Sequence, residues 1–94
     1  MRGLTFEQMV IIADEICART EARIRSYPAL ASCAAITRAR LRGIPLYPNV
    51  TQMTRGVHEH IRALRPLTSY NDVFSHVVTD ILHDLNAEQS GSHH

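Results

Sequence analysis

Three side chains of the types that bind divalent metal ions share one side of a segment near the C-terminal end of the chain. His76, Asp80 and His83 stand at positions i, i+4 and i+7, so a helix places their imidazole and carboxylate groups together. Zinc and related ions accept such ligands. This side lies opposite the apolar stripe of the segment, where a solvated helix surface carries the same residue types, and no motif elsewhere supplies a fourth ligand. We therefore expect no metal site and no cofactor; if a metal binds, these three residues are the candidates.

The remaining nucleophilic and basic side chains do not combine into a catalytic arrangement. Residues two apart point to nearly opposite sides of a helix, so His58 and His60 do not form the paired ligands of a zinc protease. Cys17 and Cys33 both stand on helical segments among small or apolar neighbours, which is typical of a buried, reduced thiol. No glycine-rich phosphate loop and no oxyanion-hole motif accompanies them. We expect no enzymatic activity.

Charge is divided unevenly along the chain, although the formal net charge is only +1. Every basic side chain is an arginine; residues 38–65 hold six arginines and one acid, whereas residues 66–94 hold no arginine and four acids. If the second and third helices are neighbours, the arginines of the middle segment can merge into one basic patch that contacts nucleic-acid phosphates or an acidic partner. The members of this predicted patch are Arg38, Arg42, Arg55, Arg62 and Arg65. The alternative is internal: the same arginines pair with Asp72, Asp80 and Asp84 of the last helix or with acids of the first helix.

Hydrophobic periodicity predicts four helices and no strand of useful length. Apolar residues recur at steps of three and four along residues 68–87, which places them on one side of a helix. Ser69 and Asp72 have the capping-box spacing at the start of this helix, as Thr5 and Gln8 have at the start of the first one. The expected helices lie near residues 5–26, 28–42, 50–65 and 69–87.

The segment between the second and third helices contains two prolines and cannot be regular helix. Gly43 before it is expected to end the second helix in a left-handed conformation, with Arg38 and Arg42 in the last turn of that helix. The loop of residues 43–49 is longer than the turn of a helix-turn-helix motif. The expected fold is therefore all-α, a small compact four-helix bundle-like array with a Pro-containing loop between helices 2 and 3.

Length and composition fit one folded domain. A chain of 94 residues with 45% hydrophobic and 20% charged residues is ordinary for a globular protein. We expect one helical domain over residues 1–89, followed by a linker and tag remnant at residues 90–94. No apolar run approaches the roughly 20 residues that span a bilayer, and no signal-peptide core is present, so we expect a cytoplasmic protein without membrane contact.

An excess of apolar residues for so short a chain predicts a contact surface. Ile11 and Ile12 broaden the apolar arc of the first helix beyond one stripe, which fits either a wide core face or a contact surface. Ile44, Leu46 and Tyr47 add apolar side chains to the loop. We therefore expect a small non-enzymatic protein-interaction module that binds a protein partner, with self-association as one form of that interaction. The alternative function is a small nucleic-acid-binding regulator that uses the arginine patch on helices 2 and 3.

Overall fold

Four helices and one very short β-hairpin make up the fold. The computed structural model describes the backbone of residues 1–91 and the side chains of residues 1–87. The helices are α1 Phe6–Arg19, α2 Tyr27–Thr37, α3 Val50–Leu64 and α4 Asn71–Gly91, and the antiparallel strands are β1 Arg40–Leu41 and β2 Ile44–Pro45. The mostly helical fold confirms the all-α class, while the two strands were not predicted. The helix α4 extends into residues 90–91, which the sequence analysis assigns to a linker, and the expected tag residues 92–94 lie outside the described residues.

The helix α1 begins where the sequence predicts and ends earlier. The Thr5 hydroxyl accepts a hydrogen bond from the Gln8 backbone N–H, and the Gln8 side chain accepts one from the Thr5 N–H, which completes the capping box. The prediction of helix up to residue 26 is wrong. The Thr20 hydroxyl donates to the Ile16 carbonyl at 2.8 Å, and the backbone of Thr20 is already extended.

The helix α2 is the shortest of the four and also ends earlier than predicted. Its last residue is Thr37, because the Thr37 hydroxyl donates to the Ala34 carbonyl at 2.7 Å and accepts from the N–H of the buried Leu4 at 2.8 Å. Arg38 follows as the C-terminal cap, and Arg42 lies in the turn of the hairpin. The prediction that these two arginines occupy the last turn of a helix is therefore wrong.

The start of α4 is formed by an asparagine instead of the predicted capping box. The Asn71 side chain accepts from the Leu67 N–H at 3.0 Å and donates to the Leu67 carbonyl at 2.9 Å. Tyr70 has a left-handed backbone with a φ of 61°, so the chain turns sharply just before the helix. Ser69 consequently precedes that turn, and only Asp72 of the predicted pair lies in the first turn of the helix, where its negative charge suits the helix dipole.

Two extended segments join the helix pairs at one end of the molecule. Residues 23–26 lead into α2 and residues 65–68 lead into α4, and an antiparallel bridge connects Ile24 with Leu67. The Pro66 carbonyl accepts two backbone hydrogen bonds from the first segment, at 2.7 and 3.1 Å. We call these two paired segments the strap. Because Leu67 is fully buried, the strap also closes that end of the core.

The core lies between the four helices. The helix α1 packs against α2 and α4, and α3 packs against the same two helices, so each helix has two neighbours. Residues further along α3 contact residues earlier in α4, as His58 with Ser75, which makes these two helices antiparallel. None of the helices in the described residues is long and apolar enough to cross a bilayer. The largest fully buried side chains are Phe74, Leu4, Met9, Leu30, Met53, Ile61, Leu67 and Leu82.

The first prediction concerns the core face of α4. Phe74→Ala is expected to lower the free energy of unfolding by about 3–5 kcal/mol, because it leaves a cavity at a fully buried position. Ile81→Ala should cost less, since Ile81 is only half-buried. Urea-induced unfolding measures both changes. The control is Val73→Ala, which alters a 43% exposed neighbour on the same helix and should change stability by about 0.5 kcal/mol or less. Equal costs at positions 73 and 74 would contradict this core face.

The second prediction concerns stability at alkaline pH. Burial raises the pKa of the Cys33 thiol from its ordinary 9.0 to about 11. The folded protein therefore holds this proton more tightly than the unfolded chain, so the stabilisation is complete below pH 9 and is lost as the pH rises through about 11. The unfolding free energy of the wild type should fall relative to that of Cys33→Ala by about 2–3 kcal/mol across this window. A difference between the two proteins that does not change with pH would contradict the burial of the thiol.

Candidate interaction surfaces

The connection between α2 and α3 forms a β-hairpin that displays an apolar face. Its turn is Arg42 and Gly43, whose φ angles of 53° and 81° match a type I′ turn. Leu41 pairs with Ile44, and the N–H of Leu46 extends the ladder by one hydrogen bond of 2.8 Å. Alternate residues of a strand face the same side, so the three aliphatic side chains share one side of the ribbon. We call Leu41, Ile44 and Leu46 the hairpin face.

The hairpin face is turned toward solvent. Leu41, Ile44 and Leu46 are 68%, 69% and 52% exposed. The other side of the ribbon carries Arg40 and Pro45, which help to line a cavity of about 560 Å³ beside the N-terminal residues and the end of α2. The ribbon thus directs a charged residue toward the body of the protein and its aliphatic residues away from it. Contiguous exposed apolar surface of this kind is typical of a contact site.

A tyrosine anchors the hairpin to the helices. Tyr47 is partly buried against the core, and its hydroxyl lies directly over Gly56 of α3. A Cβ atom at position 56 would overlap that hydroxyl, which explains a glycine inside a helix at a cost of about 1 kcal/mol relative to alanine. The hairpin is therefore held in a defined position relative to α3.

The structure does not bring the five arginines of the predicted patch together. Arg38 at the end of α2 and Arg42 in the hairpin turn lie at the end of the molecule where α3 begins, whereas Arg65 caps the opposite end of α3. With 15 residues, α3 is about 22 Å long. Arg55 and Arg62 stand seven positions apart on one side of that helix. The five residues thus divide into a group at the hairpin and a group along α3.

The predicted pairing of these arginines with acids of α4 is wrong. Among the side chains of residues 1–87, the one ion pair within 4.0 Å joins Arg19 to Glu15 at 2.9 Å. Asp72, Asp80 and Asp84 are exposed on α4. Within the part of the chain that the structure describes, the arginine-rich middle and the acidic end therefore do not neutralise each other.

A second apolar surface lies between α1 and α4, and we call it the α1/α4 groove. Its volume is about 290 Å³, and its lining residues are Ile11, Ile12, Ile16, Val77 and Ile81 with Glu15 and Arg19. Of the two residues predicted as an apolar contact, Ile11 is 66% exposed, whereas Ile12 belongs to the core and offers little surface. A shallower open surface continues past Ile81 and carries Asp84, Leu85 and Ala87.

The candidate metal ligands do not converge. His76, Asp80 and His83 are all exposed, and within the described residues no three side chains of His, Cys, Asp or Glu are grouped to hold an ion. The nearby His58 is used differently, since its Nδ1 lies 2.5 Å from the Ser75 hydroxyl across the contact between α3 and α4. The His58 imidazole therefore acts as a hydrogen-bond partner between α3 and α4.

The hairpin is the feature that sequence reasoning missed. Its signal is the pair Arg42-Gly43 flanked by Leu41 and Ile44, which is the pattern of a two-residue hairpin turn between apolar strand residues. Interpreting Gly43 as a helix stop hides this signal, because both structures use a glycine with positive φ.

Comparisons with known protein families, with curated protein sequences and with solved structures find no match to this chain. The surfaces of the molecule are therefore what indicates its function.

The third prediction tests the anchor of the hairpin. In an ordinary helix, Gly→Ala stabilises by about 1 kcal/mol. Here Gly56→Ala should give no such gain, because the new methyl group must displace the Tyr47 hydroxyl. In a Tyr47→Ala background the same substitution should stabilise by about 1 kcal/mol, as a double-mutant cycle of urea unfolding measures. A gain of equal size in both backgrounds would show that the two residues are not in contact.

Proposed function

We propose that the chain is a small non-enzymatic helical protein-interaction module, a four-helix bundle-like array whose Pro-containing connection between α2 and α3 presents the contact surface. The observation that carries this proposal is the hairpin face, in which Leu41, Ile44 and Leu46 are each more than half exposed on one side of a ribbon. Fully burying one such side chain is worth about 1.5–3 kcal/mol. A partner that covers all three therefore gains enough to offset part of the entropic cost of association.

The partner is expected to contact side chains and not to add a strand. Each strand has two residues, and Pro45 of β2 has no backbone N–H to donate. Strand addition to this ribbon would supply few backbone hydrogen bonds. Arg42 is exposed in the turn between Leu41 and Ile44, so the chemistry that fits is an apolar surface bordered by a carboxylate.

The state of the two thiols supports a role other than catalysis. Burial raises the pKa of Cys33 to about 11. Burial and, to a smaller extent, the nearby Asp14 carboxylate also raise the pKa of Cys17. Because the thiolate is the nucleophilic form, neither cysteine is an activated nucleophile at neutral pH.

Nucleic-acid binding through the arginines is the second candidate function. All six arginines of residues 38–65 are exposed, which favours phosphate contacts. Their division between the hairpin and α3 weighs against a single phosphate-binding surface. The distinguishing result would be an affinity for DNA or RNA that falls steeply with salt and is lost in an Arg38→Glu, Arg42→Glu variant with an unchanged melting temperature.

The fourth prediction tests the hairpin face directly. The wild-type chain is immobilised and exposed to a protein extract of its source and to purified soluble chain, and the bound proteins are quantified by mass spectrometry. Replacing Leu41, Ile44 and Leu46 with Ser should abolish specific binding of at least one protein while the melting temperature stays nearly unchanged. The matched control is Val73→Ser, which removes an exposed aliphatic side chain at the opposite end of the molecule and should leave binding intact. If no bound protein, including the chain itself, depends on the hairpin face, the proposal is wrong.

A further inference from the structure

Resting on the function proposed above, we propose that the partner of the hairpin face is a second copy of this chain, and that the face docks into the α1/α4 groove of that copy. The contact joins two different surfaces, so it is head-to-tail. Each copy of the chain has both surfaces, the hairpin face and the α1/α4 groove.

The groove has the size and chemistry that the hairpin face requires. At about 290 Å³ it lies just below the roughly 300–1,000 Å³ range of small-molecule sites, so it suits a few side chains better than a large ligand. Its walls are isoleucine and valine, and Ile11 on one wall is exposed in the single chain. Aliphatic side chains inserted there remove apolar surface from water on both copies.

The charges around the two surfaces are opposite in sign. Arg42 lies in the turn beside the hairpin face, while Asp84 lies beside Ile81 on α4. Within the described residues neither of these two side chains forms an ion pair with another side chain of the same molecule. The basic Arg19 at the rim of the groove does not oppose this match, because Glu15 already pairs with it at 2.9 Å. Charge complementarity therefore orients the hairpin in the groove of a second copy.

A single molecule cannot make this contact with itself. The hairpin connects α2 with α3, whereas the groove lies between α1 and α4. Because each helix packs only against the two beside it, these two surfaces lie on opposite sides of the array. Tyr47 additionally holds the hairpin against α3. A head-to-tail contact leaves one free hairpin and one free groove on every pair, so association continues into rings or chains instead of stopping at a two-fold dimer.

The fifth prediction uses two exposed positions, one on each surface. Sedimentation of the tag-free wild type at low salt should show a mass that rises with concentration beyond two chains. Ile44→Asp on the hairpin face and Ile11→Asp in the groove should each weaken association about tenfold or more and leave the melting temperature nearly unchanged. The control Val73→Asp places the same charge at an exposed position outside both surfaces and should associate as the wild type does.

Mixing the two variants provides the decisive measurement. The groove of Ile44→Asp is intact, and so is the hairpin face of Ile11→Asp. At a concentration where each variant alone is monomeric, an equimolar mixture should therefore form a species of two chains and no larger one.

Two results would overturn the head-to-tail contact. One is a wild type that stays monomeric at every concentration. The other is association that Ile44→Asp abolishes and Ile11→Asp leaves unchanged, since the hairpin faces would then meet each other. If the hairpin face captures a different protein, the proposed interaction function still holds even when the head-to-tail contact fails. The failure of the head-to-tail contact is therefore distinguishable from the failure of the interaction function.

Discussion

The pairing of residues 23–26 with residues 65–68 is the constraint on which the arrangement of the helices depends. These two segments end the connections inside the helix pairs α1–α2 and α3–α4, and their backbone hydrogen bonds fix one pair against the other. Arg25 strengthens the junction, because its guanidinium donates to the carbonyls of Arg65 and Leu64 at the open end of α3. Carbonyl groups at the end of α3 that have no partner within the helix are thereby satisfied.

The two ends of the molecule differ in how completely they are closed. At the strap, the buried Pro66 and Leu67 cover the core and the extended segments satisfy each other. At the opposite end, Asn86 of α4 binds the backbone of Arg2 with its side-chain oxygen and nitrogen, and Leu4 lies buried below. The hairpin at that end takes no part in this closure beyond Tyr47. Its aliphatic residues are consequently left at the surface, where they are available to another molecule.

Polar side chains connect the helices across their contacts. His60 of α3 lies 2.9 Å from the Ser32 hydroxyl of α2, and His58 of α3 lies 2.5 Å from the Ser75 hydroxyl of α4. Each pair contributes a modest net stabilisation of about 1 kcal/mol and restricts how the helices slide past one another. His58 and His60 are thus explained by helix packing.

The sequence by itself determined the class of the fold, because periodicity of apolar residues and local caps such as Thr5 with Gln8 act within a few residues of each other. It also marked Ile11 as a candidate contact residue, but it did not decide between a contact surface and a wide core face; the 66% exposure of Ile11 is a result of the tertiary structure. Only the tertiary structure decided where α1 and α2 end, since Thr37 stops its helix by binding Leu4, 33 residues away, and residues 23–26 pair with residues 65–68 instead of continuing α1. It likewise decided that Ile12 belongs to the core, that the arginines lie apart, and that a ribbon stands between α2 and α3. These features depend on contacts between residues that are distant in the sequence, so local sequence patterns do not predict them.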